Sequence, residues 1–134
     1  MIKDKTYWNE YYALHPETQI PSTFSEYISP FLHRENVLEL GCGDGRDSIF
    51  FSKLGFKVVA LDQSEEIIKA NQEKNVEDVQ FIKGDFTMFD QLIQEESVFD
   101  NIYSRFTFHS IGPLDQERTF NLVKDHLKKG GRFI

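Results

Sequence analysis

The chain has 134 residues, of which 40% are hydrophobic and 28% charged, and its formal net charge is −7. This composition predicts one folded domain and excludes a disordered chain, and the excess of acidic residues argues against a nucleic-acid partner. Cys42 is the one cysteine, which excludes an internal disulfide and favours a reducing compartment. No apolar run has the length of a signal core or a membrane span, so we expect a cytoplasmic protein without a membrane partner.

The first 35 residues are predicted to form a helical lid ahead of the main fold. Trp8 and Tyr11 lie three residues apart and would share one aromatic face of a helix. The run Thr23-Phe24-Ser25-Glu26 has the pattern of a capping box and predicts a short helix that continues to Phe31. Residues 36–134 are predicted to form the core, so that lid and core together make a single domain.

Strand and helix signals alternate regularly after residue 36. The apolar runs predict strands over residues 37–40, 57–61, 79–82, 98–103 and from 132 onward. The segments between them predict helices over residues 44–54, 64–74 and 88–94, and a last helix that Asp115 caps. Lys128 and Lys129, followed by two glycines, are typical of a helix end and would close this last helix. The alternation predicts an α/β protein with a Rossmann-like, doubly wound parallel sheet.

A glycine-rich turn follows the first predicted strand. Its spacing is Gly41-x-Gly43-x-Gly45, whereas the dinucleotide fingerprint has its third glycine one residue later. Glu39, Asp44 and Asp47 surround the turn, and each would repel a diphosphate by about 1 kcal/mol per charge pair at about 4 Å in water. The charges therefore favour a ligand with a cationic tail. A dinucleotide such as NAD remains a less favoured alternative.

The motif Glu39-Leu40-Gly41-Cys42-Gly43-Asp44-Gly45 resembles the first motif of class I S-adenosylmethionine-dependent methyltransferases. The resemblance continues in order through an acid at the end of the second strand, Asp62, and through Gly84-Asp85-Phe86 after the third. It extends to Phe99-Asp100-Asn101-Ile102 in the fourth strand and to the run from Leu127 to Phe133. It implies the class I methyltransferase fold, S-adenosyl-L-methionine as cofactor, S-adenosyl-L-homocysteine as its product, and methyl transfer as the activity.

The resemblance also implies roles for individual residues. The turn Gly41-Cys42-Gly43 would lie under the methionine part of the cofactor, with Glu39 near its amino group. Asp62 would accept hydrogen bonds from the ribose hydroxyls. The adenine would be bordered by Gln63, Gly84, Asp85 and Phe86, and the methyl donor by Ser104 and Arg105.

Other residues have two interpretations each. His109 follows the fourth strand and is either a general base or an ordinary loop residue. Arg46 either holds an anionic group or pairs with Asp44 or Asp47. Trp8 and Tyr11 either contact the sulfonium through cation–π attraction or only dock the lid. Cys42 also fits as a small filler between glycines, and no histidine has metal-ligand spacing.

The run Gly45-Arg46-Asp47-Ser48 and the pair Ser104-Arg105 are similar to those of thiopurine- and tellurite-type members, which implies a small-molecule methyl acceptor. Class I domains usually continue for two more strands after the fifth, where this sequence stops. We therefore expect a fragment of a longer protein, or a homo-oligomer formed through the unpaired sheet edge. The alternative function is a non-catalytic S-adenosylmethionine-binding module or an inactive fragment that needs a partner, and a further alternative is an NAD-dependent oxidoreductase.

Overall fold

The computed structural model describes residues 20–32, 35–94, 96–105 and 107–134. Trp8 and Tyr11 lie outside these residues, as does most of the predicted lid. Within the described part, strands and helices alternate from the first strand onward. The α-helices and strands are α1 Thr23–Ile28, β1 Asn36–Leu40, α2 Arg46–Lys53, β2 Lys57–Asp62, α3 Glu65–Glu73, β3 Val79–Lys83, β4 Phe99–Ser104, α4 Pro113–His126 and β5 Leu127–Phe133. Short 3₁₀ helices span Ser29–Phe31, Phe86–Gln91 and Phe108–Ser110.

The five strands form one parallel sheet in the order β3-β2-β1-β4-β5. The predicted doubly wound parallel sheet is therefore confirmed. In the register, Leu40 of β1 lies opposite Leu61 of β2 and Ser104 of β4, so these three strands end together. The strand order reverses between β1 and β4, and ligands of such sheets bind outside the carboxyl ends of the strands at this point.

Side chains from β1 enter two separate apolar cores, because successive residues of a strand point to opposite faces. Val37 packs in a core with residues of α1, α2 and α3, including Ile28, Phe51 and Ile68. Leu38 packs in a second core with Phe89 and with Val123 of α4. Both faces of the sheet are thus covered, and β1 is buried from Val37 to Leu40, as its continuous apolar run predicted.

The predicted end of the last helix is wrong. The helix begins at Pro113 with Gly112 as its N-cap, so Asp115 lies inside the first turn instead of capping it. It ends at His126, and Lys128 and Lys129 belong to β5, where Lys128 forms a salt bridge with Asp100 of β4 at 3.5 Å. The stop signals placed the helix end too late, because Leu127 already pairs with Phe99 of β4.

Three other boundaries differ from the prediction. Ser22, not Thr23, is the N-cap of α1, and its hydroxyl accepts from the backbone N–H of Ser25. The helix predicted over residues 44–54 begins only at Arg46 because Gly45 takes a left-handed conformation. The segment predicted as a helix over residues 88–94 is the 3₁₀ helix that begins one residue after Asp85. In the described part of the chain, no helix is both long and apolar enough to cross a membrane.

Candidate cofactor site

The glycine turn is joined to the end of β2 by backbone hydrogen bonds. The N–H groups of Gly41 and Cys42 both donate to the carbonyl of Leu61, each at 2.8 Å. The N–H of Gly43 donates to Oδ1 of Asp62 at 3.2 Å. On the other side of β2, the N–H of Gly84 donates to the carbonyl of Asp62 at 2.9 Å. The structure therefore brings together the turns that follow β1, β2 and β3.

Two glycines of the turn are required by their surroundings. Gly41 has a φ of +78°, and a Cβ at this position would overlap the methyl group of Thr107. Gly45 has a φ of +80°, and a Cβ there would lie 2.7 Å from the ring of Phe81. The turn therefore needs both the left-handed conformation and the absence of side chains.

The hydrogen bonding of the turn disfavours a diphosphate ligand. Dinucleotide-binding turns offer backbone N–H groups to phosphate oxygens. Here the N–H groups of Gly41, Cys42 and Gly43 donate to Leu61 and Asp62, and that of Gly45 donates to the carbonyl of Cys42 at 3.0 Å. This agrees with the charge argument against an NAD-type cofactor.

Glu39 supplies a buried carboxylate directly below the turn. Its side chain is 4% exposed, and its Oε1 accepts a hydrogen bond of 2.6 Å from the hydroxyl of Ser48. Burial raises the pKa of Glu39 well above its usual value, and the negative charge of Asp47 raises it further. A cation placed beside Glu39 would favour its ionised form, so the site is suited to an ammonium group.

Asp62 ends β2 as predicted, whereas Asp85 lies beyond the end of β3 at Lys83, and their local roles differ. Asp62 accepts from the N–H of Gly43 with Oδ1 and from that of Ser64 with Oδ2, at 3.2 and 3.0 Å. Asp85 is exposed, and its Oδ1 accepts from both the N–H and the hydroxyl of Thr87. Asp62 is thus oriented by two neighbouring turns, whereas Asp85 is oriented by its own 3₁₀ helix.

The remaining predicted residues lie around the same edge of the sheet. Gln63 is exposed between β2 and α3, and Phe86 is half-buried at the start of its 3₁₀ helix. At the end of β4, the hydroxyl of Ser104 contacts that of Thr107, and Arg105 follows, partly exposed. His109 lies farther along, exposed in the 3₁₀ helix after β4.

Arg46 and Cys42 can be assigned more closely. Arg46 donates its backbone N–H to Oδ1 of Asp44 at 3.3 Å where α2 begins. Cys42 is buried, and burial followed by the charge of Asp62 raises the pKa of its thiol. The thiol form fits the interpretation of Cys42 as a small filler, because the thiolate is the nucleophile.

The sequence analysis did not identify Asn71 of α3 and its C-cap Lys74, which both donate hydrogen bonds to the turn. The side-chain amide of Asn71 donates to the carbonyl of Gly43 at 2.8 Å, and the ammonium of Lys74 donates to the carbonyl of Asp44 at 2.8 Å. Asn71 follows Ile67 by four residues and Ile68 by three. A polar residue on this apolar stripe was the signal that would have identified it.

It also missed the contact that fixes α1 to the core. Asp47 is 3% exposed and accepts hydrogen bonds of 2.8 Å from the N–H and hydroxyl of Ser22 and from the hydroxyl of Tyr103. Burial and the neighbouring charge of Asp47 raise the pKa of Tyr103 far above its usual value. These partners are 25 and 56 residues from Asp47, so no local pattern could reveal them.

Comparison with known proteins identifies the family. A family described as a methyltransferase domain matches residues 37–131, which include the glycine turn and all five strand regions. This chain belongs to that family. The predicted membership in the class I methyltransferases is therefore confirmed.

Individual methyltransferases are similar to most of the chain. A histidine protein methyltransferase 1 homolog of Dictyostelium discoideum is 32% identical over 116 residues, which cover 81% of this chain and 36% of the relative. The probable S-adenosyl-L-methionine-dependent methyltransferase TehB of Haemophilus influenzae is 33% identical over 99 residues, covering 71% of this chain and 33% of TehB. This chain thus spans about a third of the length of these two relatives.

Solved structures confirm the fold. The TehB crystal structure matches 94% of this chain and 44% of its own with a TM-score of 0.74 at 24% identity. The glycopeptide N-methyltransferase MtfA, solved in complex with S-adenosyl-L-methionine, matches 87% of this chain and 50% of its own with a TM-score of 0.73 at 22% identity. These similarities show the fold of this chain. The glycopeptide substrate is a property of MtfA.

Proposed function

We propose that the protein is an S-adenosyl-L-methionine-dependent methyltransferase with its cofactor at the carboxyl ends of β1, β2 and β3. The observation that carries the proposal is the pair of carboxylates, Glu39 and Asp62, on the two sides of the glycine turn. Glu39 is buried where a cation would stabilise its charge, and Asp62 is held by two backbone N–H groups. A carboxylate has about four acceptor positions, so ribose hydroxyls can join the two N–H groups at Asp62.

The other predicted contacts belong to the same proposal. Cys42 contributes backbone to the turn under the methionine part, and Arg46 lies where α2 begins. Gln63, Gly84, Asp85 and Phe86 would border the adenine, with Oδ2 of Asp85 facing its amino group. Ser104 and Arg105, after β4, would border the methyl donor.

Methyl transfer requires the protein mainly to bind and orient the methyl donor and the acceptor. The cofactor supplies an electrophilic methyl group bonded to a sulfonium sulfur. Loss of this methyl group to the acceptor leaves a neutral thioether. The acceptor must approach in line with the bond that breaks, and holding two reactants in such geometry contributes about 7–11 kcal/mol. Residues of the turns after β1 and β4 lie where they can fix the donor and border the acceptor. A general base is needed only for an acceptor that must lose a proton, and His109 is the proposed base.

We propose a small-molecule acceptor, supported by the similarity of the α2 start and of the Ser104-Arg105 pair to small-molecule members. The names of some relatives instead specify protein and glycopeptide substrates. The test is calorimetry with S-adenosylhomocysteine and NAD, followed by methyl transfer to panels of thiols, amines, hydroxy acids and peptides. Binding of NAD alone would show that the cofactor assignment is wrong. Binding of S-adenosylhomocysteine without any turnover would favour the alternative, a non-catalytic binding module.

The single-domain division, with a lid over residues 1–35 and a core over 36–134, is also a proposal. Its support is the fixed position of Ser22, which the buried Asp47 holds against α2. Trp8 is the one tryptophan of the sequence, so its fluorescence reports on the lid directly. If Trp8 and Tyr11 contact the cofactor, titration with S-adenosylhomocysteine will change the emission, and Tyr11→Ala will weaken binding. Unchanged emission would mean that Trp8 does not contact the cofactor.

The remaining predictions concern partners and location. Strand β5 lies at one edge of the sheet in the described residues, and we propose that this edge supports a homo-oligomer, which size-exclusion chromatography with light scattering will test. A monomer at all concentrations would exclude it. No nucleic-acid or membrane partner is proposed, and we propose a cytoplasmic location from the composition of the chain.

A further inference from the structure

Two carbonyl groups of the glycine turn accept hydrogen bonds from side chains near the end of α3. The carbonyls of Gly43 and Asp44 point to α3, where Asn71 and Lys74 donate to them at 2.8 Å each. The two side chains are also joined to each other, because the ammonium of Lys74 donates to Oδ1 of Asn71 at 3.0 Å. These three hydrogen bonds form a continuous clamp on the turn, which we call the α3 clamp.

The geometry gives Asn71 one orientation. Its Oδ1 accepts from an ammonium and its Nδ2 donates to a carbonyl, so each end of the amide meets a complementary group. The side chain is 1% exposed, and its Nδ2 lies 3.5 Å from the place where a Gly45 Cβ would be. Loss of the amide would therefore leave the part-buried Gly43 carbonyl without this donor.

The position of Lys74 in the clamp disfavours its charged form. Partial burial lowers its pKa, and the negative charge of Asp44 acts in the opposite direction. The ammonium thus gives up part of its hydration to reach two carbonyl-type oxygens, one in the turn and one on Asn71. This is the pattern of a side chain that orients a loop.

The same helix also orients the other half of the proposed site. Ser64, the N-cap of α3, donates its N–H to Oδ2 of Asp62 at 3.0 Å. Near its C-terminal end, α3 holds the turn through Asn71 and Lys74. One rigid helix therefore sets the position of the glycine turn relative to Asp62.

We propose that Asn71 and Lys74 are positioning residues for the cofactor, and this rests on the proposed function. They hold the turn in the conformation that accepts the methionine half of the cofactor. Asp85, which would bind the adenosine half, is oriented by Thr87, and Asp62 keeps the N–H of Ser64 as a donor in addition to that of Gly43. Loss of the clamp should therefore weaken ligands that carry the methionine half more than adenosine alone.

The experiment compares S-adenosylhomocysteine and adenosine by calorimetry for Asn71→Leu, Lys74→Met and Lys74→Arg. Lys69→Met is the matched control, since Lys69 is exposed on the same helix. Asn71→Leu and Lys74→Met should raise the Kd for S-adenosylhomocysteine about tenfold, because each loses a hydrogen bond to a part-buried carbonyl of the turn. Adenosine should bind within about twofold of the unsubstituted protein, and Lys74→Arg should recover most of the loss.

Each other outcome overturns the inference in a distinct way. An equal loss for both ligands would mean that the clamp supports only the fold, and an unchanged S-adenosylhomocysteine affinity would mean that the turn does not need it. If Asn71→Leu does not fold, Lys74→Met and its Arg counterpart decide, since Lys74 is exposed at the end of α3. If the unsubstituted protein binds no S-adenosylhomocysteine, the proposed function is itself wrong, and there is no cofactor for the clamp to position.

Discussion

The backbone N–H of Gly43 donates a hydrogen bond of 3.2 Å to Oδ1 of Asp62, which links the turn after β1 to the end of β2. The two residues are 19 positions apart, and each belongs to a different part of the proposed cofactor site. The proposed ribose carboxylate is therefore also a structural support of the glycine turn. Substitutions at this pair should affect binding and stability together.

Asp62→Ala is expected to weaken S-adenosylhomocysteine binding more than tenfold, about 1.4 kcal/mol or more. The substitution removes the acceptor for the ribose hydroxyls and for the N–H groups of Gly43 and Ser64. Calorimetry will measure the affinity, and thermal unfolding will measure the accompanying loss of stability. Asp90→Ala, at an exposed carboxylate, is the control. An Asp62→Ala variant that binds normally would show that the ribose assignment is wrong.

Gly41→Ala is expected to destabilise the fold more than Gly55→Ala. Both glycines have positive φ, +78° and +101°, so both variants carry the left-handed strain of about 1–2 kcal/mol. Only at Gly41 does the new methyl overlap Thr107, and nothing lies within 4 Å at Gly55. Overpacking should add about 1–3 kcal/mol, measured by urea unfolding.

The double variant Gly41→Ala/Thr107→Ser separates the two causes. It removes the overlapping methyl group but keeps the hydroxyl that contacts Ser104. We expect it to be more stable than Gly41→Ala alone. Equal stability of the single and double variants would mean that the steric explanation is wrong.

Tyr103→Phe is expected to reduce the free energy of unfolding by about 1.5–3 kcal/mol, the usual range for a hydrogen bond to a charged group. The lost hydroxyl is one of the donors to the buried carboxylate of Asp47. Tyr27→Phe serves as the control because Tyr27 is 71% exposed. A double-mutant cycle with Ser22→Ala will measure the coupling through Asp47, and independent, additive effects would contradict a shared network.

Glu39 predicts a pH dependence of stability. Its pKa is raised in the folded protein, so the folded state holds this proton more tightly than the unfolded state. This contribution is fully present below the usual Glu pKa and is lost as the pH rises through the raised value, with a slope of at most about 1.4 kcal/mol per pH unit. Glu39→Gln should remove this slope in urea unfolding measured at several pH values.

The same substitution tests the proposed ammonium contact. A cationic ligand favours ionised Glu39, so cofactor binding should release protons in the range where Glu39 is protonated. Calorimetry in buffers of different ionisation enthalpy will detect this release. Glu39→Gln should bind S-adenosylhomocysteine more weakly and release fewer protons. Identical proton release by the unsubstituted protein and by Glu39→Gln would mean that the ammonium of the cofactor does not contact Glu39.

His109→Gln tests the proposed general base. For an acceptor that must lose a proton, the variant should turn over about 10²–10⁴-fold more slowly. Its affinity for S-adenosylhomocysteine should stay the same, because no predicted cofactor contact involves this residue. An unchanged rate with such an acceptor would mean that His109 is an ordinary loop residue and not the general base.

The sequence by itself determined the parallel α/β fold, the position of the glycine turn and the family. These depend on local patterns: the buried run of β1, the spacing of Gly41, Gly43 and Gly45, and the acid at the end of β2. Such patterns are readable because neighbouring residues share one element, and because strands that alternate with helices must run parallel.

Only the tertiary structure decided how the turn is held. Asn71 and Lys74 reach it from α3, Ser22 and Tyr103 meet on Asp47, and pairing with β4 converts the end of the last helix into β5. These contacts join residues that are far apart in the chain, and their free energies depend on burial and exact distance. Local propensity does not contain that information, which is why the positions of Glu39 and Asp62 at the strand ends were predictable and the network around them was not.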